Sequence, residues 1–152
     1  MILKLEPKFH FHCHWNSYFS QTFNSHSLTT CMKILIVDDN DSINKALSRF
    51  LEFNGYSCEL LSEPQNAVDK IIHGSYDLVI LDLAMPKVSG YDIIEQLHKS
   101  AKISNTKILI NTASTLDDAN REKLFQSGVK GFNLKTNDPE ILLAKIKEII
   151  NN

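Results

Sequence analysis

Cysteine is scarce in this chain, and its few cysteines are poorly placed for the usual structural uses of this residue. Cys13, Cys31 and Cys58 form no CxxC pair and no zinc-ligand spacing, and an odd number cannot all pair within one chain. A disulfide framework or a structural zinc site is therefore not expected. A reduced, cytoplasmic setting is the simplest interpretation.

An excess of positive charge is also missing. The formal net charge is −2, which argues against a nucleic-acid-binding module, because such modules usually carry a basic patch. No stretch is long and apolar enough for a transmembrane helix, and the N-terminal region lacks the apolar segment of a secretory signal. No GxxxxGK segment is present for nucleotide binding. We expect no nucleic-acid partner and no membrane insertion.

The remaining composition is that of an ordinary globular domain, but it changes sharply near residue 31. Residues 1–31 contain four of the six histidines and the only tryptophan, without helical or strand periodicity. We expect a disordered tail, or an upstream extension of the reading frame, since Met32 precedes a strand-like segment. Histidines and Cys13 within residues 9–15 are possible transition-metal ligands, but an unscaffolded chain gives them no fixed geometry.

Residues 32–152 show apolar runs and helical spacings in alternation. Strands are predicted at 33–37, 57–61, 107–111 and 131–134, and in a run that ends at Leu81. The first helix carries apolar residues at helical spacing (Ile43, Ala46, Leu47, Phe50 and Leu51), and the last opens at Asp138-Pro139 with Leu142, Ile146 and Ile149 facing inward. A fourth helix, poorer in apolar residues, is predicted to be capped by Ser114 or Thr115.

This alternation predicts one α/β domain with a doubly wound, five-stranded parallel sheet and helices on both faces. The sequence ends with the fifth helix, so we expect no attached output module.

Four of the predicted strands end in polar side chains, namely Asp38 with Asp39, Asp82, Thr112 and Lys135. The carboxyl ends of parallel strands meet at one edge of a sheet, so these side chains should lie together. Three carboxylates there would repel one another unless protonated or neutralised, and oxygen-only ligands favour a hard ion such as Mg²⁺. A carboxylate nucleophile that attacks phosphorus gives an acyl phosphate, whose charge a lysine can meet.

Each of these residues also has a plainer interpretation when taken alone. Asp38 and Asp39 could serve only to cap a helix, Asp82 could merely end a strand, Thr112 could pack locally, and Lys135 could be a surface lysine. Their shared placement at strand ends favours phosphoryl transfer.

Five motifs carry a resemblance to a known family. They are Ile36-Val37-Asp38-Asp39, Leu81-Asp82-Leu83-Ala84-Met85-Pro86, Gly90, Asn111-Thr112-Ala113 and Gly131-Phe132-Asn133-Leu134-Lys135. On these motifs, residues 32–152 resemble the receiver domain of bacterial two-component response regulators over the full length of such a domain. The resemblance implies the flavodoxin-like strand order 2-1-3-4-5.

The resemblance also implies a phosphorylation site. Asp82 would accept a phosphoryl group from a histidine kinase or a histidine phosphotransfer protein. Asp38, Asp39, Asp82 and the backbone carbonyl of Ala84 would hold Mg²⁺, and Lys135 would pair with a phosphoryl oxygen.

A switch is implied as well. Thr112 would bond another phosphoryl oxygen, and its movement would let the ring of Phe132 turn inward. That turn would change the face made by the fourth helix, the fifth strand and the fifth helix, where an unknown protein target would bind. Such a protein is not an enzyme in the ordinary sense, because it catalyses only its own phosphorylation and dephosphorylation.

Alternative functions share part of this pattern. The domain could be a phosphorelay intermediate that passes its phosphoryl group to a histidine phosphotransfer domain, or a receiver that signals without phosphorylation. A phosphatase of the haloacid dehalogenase type would need a second aspartate where Ala84 stands. Flavodoxin-like cofactor binding would need a hydroxyl- or glycine-rich loop where the acidic residues 38–41 stand.

The chain departs from the family pattern in a few places. Lys135-Thr136 replaces the usual Lys-Pro, and we expect a trans bond, since a cis bond before threonine costs about 2.5–4 kcal/mol. Phe132 lacks the hydroxyl with which a tyrosine would hold an outward pose. Ala84 and Ser114 offer no carboxylate or amide to position an attacking water, so slow self-dephosphorylation is predicted.

Overall fold

A computed structural model describes residues 31–103 and 106–151, in which strands and helices alternate. The strands are β1 (Lys33–Val37), β2 (Ser57–Leu61), β3 (Leu78–Leu81), β4 (Ile108–Thr112) and β5 (Val129–Leu134). The helices are α1 (Asp41–Phe53), α2 (Ala67–His73), α3 (Gly90–Lys99), α4 (Asp118–Gln126) and α5 (Pro139–Asn151), with a 3₁₀ turn at Pro64–Asn66 before α2.

The five strands form one sheet with the order β2-β1-β3-β4-β5, and every neighbouring pair is parallel. The predicted fold class and strand order are thereby confirmed. The register places Val37 beside Leu81 and Leu81 beside Ile110. The carboxyl ends of β1, β3 and β4 therefore reach the same edge of the sheet, which we call the carboxyl edge.

Helices cover both faces of the sheet, which explains why β1 and β3 are nearly continuous apolar runs. On one face, strand residues such as Leu35 and Val79 pack with residues of α2, α3 and α4. On the other face, Ile34 and Ile80 pack with residues of α1 and α5. All residues of β3 and β4 are buried, so the side chains that end these strands are held on a rigid support.

The buried face of α1 differs from the predicted apolar one. Ile43 and Ala46 are exposed, whereas Asn44 and Ser48 are buried together with Leu51. The reason is that α1 turns its first half toward the loop after β1, where the Asn44 side chain donates a hydrogen bond to a backbone carbonyl. The polar contact replaces the predicted apolar one only in the first half of the helix, because Leu47, Phe50 and Leu51 pack against the core as predicted.

The start of α4 was also predicted wrongly. The N-cap is Asp117, whose side chain accepts a hydrogen bond from the Asn120 amide at 2.7 Å, not Ser114 or Thr115. Only Leu124 of this helix is buried. With one anchoring residue, the apolar pattern could not fix where the helix begins.

Residues 1–30, which make up nearly all of the predicted tail and include the histidines of residues 9–15, lie outside the described residues. Within residues 31–103 and 106–151, no helix combines the length and apolarity that a membrane span requires.

Candidate functional site

The loop after β1 supplies two acidic residues to the carboxyl edge. Asp38 is only 3% exposed, and its Oδ1 accepts a hydrogen bond from the Asn40 amide at 2.8 Å. Its backbone carbonyl accepts one from Asn44 Nδ2 at 2.7 Å. Asn40 caps α1 by accepting hydrogen bonds from two backbone amides of the first turn. Asp38 and the exposed Asp39 are therefore not the N-cap of this helix.

Asp82 lies at the end of β3 and is 4% exposed. Its amide donates to the Val37 carbonyl at 3.0 Å, and its Oδ1 accepts from the Ala84 amide at 3.2 Å. The first turn of α3 approaches this loop closely at Gly90. A Cβ there would lie 2.3 Å from the Asp82 carbonyl oxygen and 2.9 Å from Leu83 Cα, so only glycine fits without a backbone shift.

Lys135 reaches both buried carboxylates from the end of β5. Its Nζ lies 2.6 Å from Asp38 Oδ2 and 2.7 Å from Asp82 Oδ2, and its amide donates to the Thr112 carbonyl at 2.9 Å. Burial lowers the pKa of Lys135, but its hydrogen bonds to the two carboxylates and their charges outweigh this effect and raise the pKa above its ordinary value. The described residues include no cis peptide bond, so the bond to Thr136 is trans as expected.

Asp38, Asp39 and Asp82 form a compact acidic cluster. Each offers a carboxylate oxygen, and these oxygens all lie within 4.8 Å of one another. The single ammonium of Lys135 leaves two negative charges of the cluster unmatched. An all-oxygen donor set with this charge suits a hard divalent cation such as Mg²⁺.

Thr112 ends β4, where its carbonyl accepts a hydrogen bond from the Lys135 amide, and Phe132 lies on β5. Thr112 is buried, and its Oγ1 accepts a hydrogen bond from the Ser114 amide at 3.5 Å. The ring of Phe132 is partly buried and meets the ring of Phe125 edge-on, with centroids 4.9 Å apart. The guanidinium of Arg121 lies 5.9 Å from the Phe132 ring centroid. Phe132 thus contacts α4 through two residues.

The structure brings Asp38, Asp39, Asp82 and Lys135 together, and it pairs the backbone carbonyl of Thr112 with the Lys135 amide. Asn44, Asn111 and Asn133 are buried polar residues close to the site that were not given a role from the sequence. For the two asparagines in β4 and β5, the sequence does offer one sign. Each is a polar residue at a strand position where the apolar pattern predicts a buried side chain.

Comparison with known proteins assigns the family. A family model for the response regulator receiver domain matches residues 34–147. The chain belongs to the response regulator receiver domain family. It is therefore the receiver domain of a two-component response regulator, in agreement with the motif-based prediction.

Relatives with curated names are response regulators of greater length. The chain is 30% identical over 118 residues to the transcriptional regulatory protein ResD of Bacillus subtilis, covering 78% of this chain and 48% of that protein. It is 32% identical over 121 residues to the response regulator MprA of a Mycobacterium species, covering 78% and 50%. The chain spans about half the length of these relatives.

Solved receiver structures share the fold over almost their whole length. A CheY-like receiver domain protein from Methanospirillum hungatei has a TM-score of 0.71 and 28% identity, covering 80% of this chain and 95% of that one. The chemotaxis protein CheY4 of Vibrio cholerae has a TM-score of 0.70 and 27% identity, covering 78% and 98%.

Proposed function

We propose that this receiver domain is a phosphorylation switch in which Asp82 carries the phosphoryl group. The observation that carries the proposal is the position of the Asp82 carboxylate, which is buried in an acidic cluster and hydrogen-bonded to the Lys135 ammonium at 2.7 Å. A buried carboxylate with one cationic partner and two acidic neighbours is poised for reaction with a phosphoryl group rather than for structural pairing alone.

The reaction is a transfer of phosphoryl between two nucleophiles. An Asp82 carboxylate oxygen attacks the phosphorus of a phosphohistidine, and a phosphorus–oxygen bond forms as the phosphorus–nitrogen bond breaks. The imidazole nitrogen of the donor keeps the electron pair and takes up a proton. The product is an acyl phosphate on Asp82. Lys135 and the hydroxyl of Thr112 then donate hydrogen bonds to phosphoryl oxygens.

Asp38, Asp39 and Asp82, with the backbone carbonyl of Ala84, would hold Mg²⁺. When bound, the ion would neutralise part of the charge of the carboxylates, so that a negatively charged phosphoryl group could approach them. The fit of the site rests on its all-oxygen donors and its unmatched negative charge.

The output of the switch is a change in the face formed by α4, β5 and α5. A Thr112 hydroxyl drawn to a phosphoryl oxygen would leave its bond with the Ser114 amide, and the space it vacates favours an inward turn of the Phe132 ring. That turn breaks the contacts of Phe132 with Phe125 and Arg121. Phosphorylation needs only to favour one of two existing states.

The partners belong to the same proposal. The phosphoryl donor is a histidine kinase or a histidine phosphotransfer protein, and the target of the switched face is another protein in the cytoplasm. A phosphorelay intermediate would use the same site residues. The expectations of a stand-alone domain, of no enzyme activity beyond self-phosphorylation and self-dephosphorylation, and of no nucleic-acid partner stay predictions. ResD is named a transcriptional regulatory protein, and it extends beyond the region shared with this chain.

Incubation with Mg²⁺ and acetyl phosphate, followed by phosphate-affinity electrophoresis, tests this function. We expect a retarded band for the wild type and for the control Asp69→Asn, which changes an exposed aspartate of α2. Asp82→Ala should show no retarded band. Retardation of Asp82→Ala to the wild-type extent would overturn the assignment of the phosphoryl acceptor.

A further inference from the structure

Two buried asparagines lie side by side near the carboxyl edge, in strands whose other buried positions are apolar except for Thr112. Asn111 on β4 is 5% exposed and Asn133 on β5 is 4% exposed, and the two residues are paired in the sheet register. The Asn133 side-chain amide donates a hydrogen bond to Asn111 Oδ1 at 2.9 Å. Burying amides costs free energy unless they are hydrogen-bonded, so the pair calls for a reason beyond packing.

The Asn133 side chain also binds the chain on both sides of Lys135. Its Nδ2 donates to the Leu134 carbonyl at 3.0 Å, and its Oδ1 accepts from Asn137 Nδ2 at 3.1 Å. The Asn137 amide in turn donates to the Leu134 carbonyl at 2.9 Å. We call Asn111, Asn133 and Asn137 the asparagine ladder.

Lys135 needs such support because the next residue gives its backbone little constraint. Thr136 is exposed and is not a proline, so its φ is not set by a ring. Yet the Lys135 ammonium must be held at two carboxylates on other strands, at 2.6 Å and 2.7 Å. The ladder is anchored in buried β4, and it reaches the residue before Lys135 and the residue two after it.

We propose that Asn133 and Asn137 are positioning residues that act through Lys135. The ladder fixes the backbone on both sides of Lys135 and so holds its ammonium where the phosphoryl group of Asp82 forms. This inference rests on the proposed function, and it adds to that function the means by which this chain aims its lysine.

The main test is Asn137→Ala, which changes only a half-buried loop residue and removes its hydrogen bond to Asn133 Oδ1. The rate of phosphorylation by acetyl phosphate at saturating Mg²⁺ should fall about tenfold, because small misplacements of a catalytic group are costly. The Kd for Mg²⁺, measured by calorimetry, should not change, because the ligands lie after β1 and β3. Exchange of the backbone amide at position 137 should quicken, and that of Asp82 should stay slow.

A second variant separates positioning from stability. Replacing both Asn111 and Asn133 by leucine removes the ladder without leaving an unpaired buried amide, so the fold should remain stable. Its phosphorylation should be as slow as that of Asn137→Ala, and adding Asn137→Ala to it should cause no further loss. Asn54→Ala is the matched control, because it removes an asparagine bond to the Phe50 carbonyl at the far end of α1. Its rate should equal that of the wild type.

The outcomes are distinguishable. If the wild type is phosphorylated and Asn137→Ala is phosphorylated at the same rate, this inference alone is overturned. A parallel loss of Mg²⁺ affinity and rate also overturns it, since the ladder would then act on the whole site. A wild-type protein that takes up no phosphoryl group overturns the proposed function, and this inference falls with it.

Discussion

The carboxylate of Asp82 lies close to two other acidic side chains, which repel it. Asp38 and Asp39 lie close enough to Asp82 for all three to bind one metal ion, and Lys135 offsets only part of their repulsion. The backbone holds them there, through hydrogen bonds such as that from the Asp82 amide to the Val37 carbonyl. The repulsion among these carboxylates therefore lowers the stability of the fold, and the rest of the structure offsets this cost.

Asp39→Asn tests this repulsion at a single residue. Because the substitution removes one negative charge, we expect a higher urea midpoint than that of the wild type in the presence of a chelator. The gain in stability on adding millimolar Mg²⁺ should be smaller, since binding to the folded state stabilises in proportion to affinity. Asp69→Asn, at an exposed position of α2 far from these ligands in sequence, should show the wild-type gain on adding Mg²⁺. A Mg²⁺-dependent gain equal to that of the wild type would contradict the role of Asp39 as a ligand.

Among the elements, the sheet could be predicted well and the helix surfaces less well. Strands β1 and β2 have the predicted bounds. For β1 the reason is that an apolar run flanked by polar residues has only one way to be buried. The start of α4 could not be fixed, because Ser114, Thr115 and Asp117 are all good capping residues and only Leu124 anchors the helix.

The residues of the site also divide into those that the sequence predicts and those that it does not. Asp82, Thr112 and Lys135 could be found because they directly follow or end buried strands that the fold brings to one edge. Asn44 and Asn133 could not, because the role of an asparagine depends on which carbonyl or amide lies across from it. These hydrogen-bond partners come together only when α1 packs on the sheet and β4 pairs with β5.

One lysine beside the sheet donates hydrogen bonds to the last turn of α5. Lys107, just before β4, donates from Nζ to the carbonyls of Ile149 and Ile150, both at 2.9 Å. A cation there satisfies carbonyls that the helix end leaves without intrahelical partners and interacts favourably with the helix dipole. Lys107→Met should lower the free energy of unfolding by about 1–2 kcal/mol, measured by urea denaturation. Lys147→Met, at an exposed position of α5, should have almost no effect, and equal losses would contradict this account.

Glu59 on β2 gives the fold a predicted acid sensitivity. Hydrogen bonds from Lys70, Lys33 and Tyr76 lower the pKa of Glu59 from 4.5 to about 2. Because the pKa is lower in the folded state, the stabilisation is complete above pH 4.5 and is lost as the pH falls toward 2. Glu59→Gln should reduce stability at neutral pH and flatten its decline in this acid range. Glu95→Gln, which removes one exposed pair with Lys99, should change the profile far less.

For the whole molecule, the account requires that a change at Asp82 reaches a distant face through Thr112. Thr112→Val keeps the shape of the side chain but removes its hydroxyl. We expect this variant to be phosphorylated, yet the NMR shift changes at Phe125, Phe132 and along α5 should be much smaller than in the wild type. Thr115→Val, at an exposed position of the same loop, should respond fully. A full response in Thr112→Val would show that the coupling takes another route.

The most direct test of the central claim is the intact mass of the whole protein after incubation with Mg²⁺ and acetyl phosphate. The account predicts a gain of about 80 daltons that hydroxylamine reverses, as expected for an acyl phosphate, and no gain for Asp82→Asn. No gain in the wild type, or the same gain in Asp82→Asn, would contradict it.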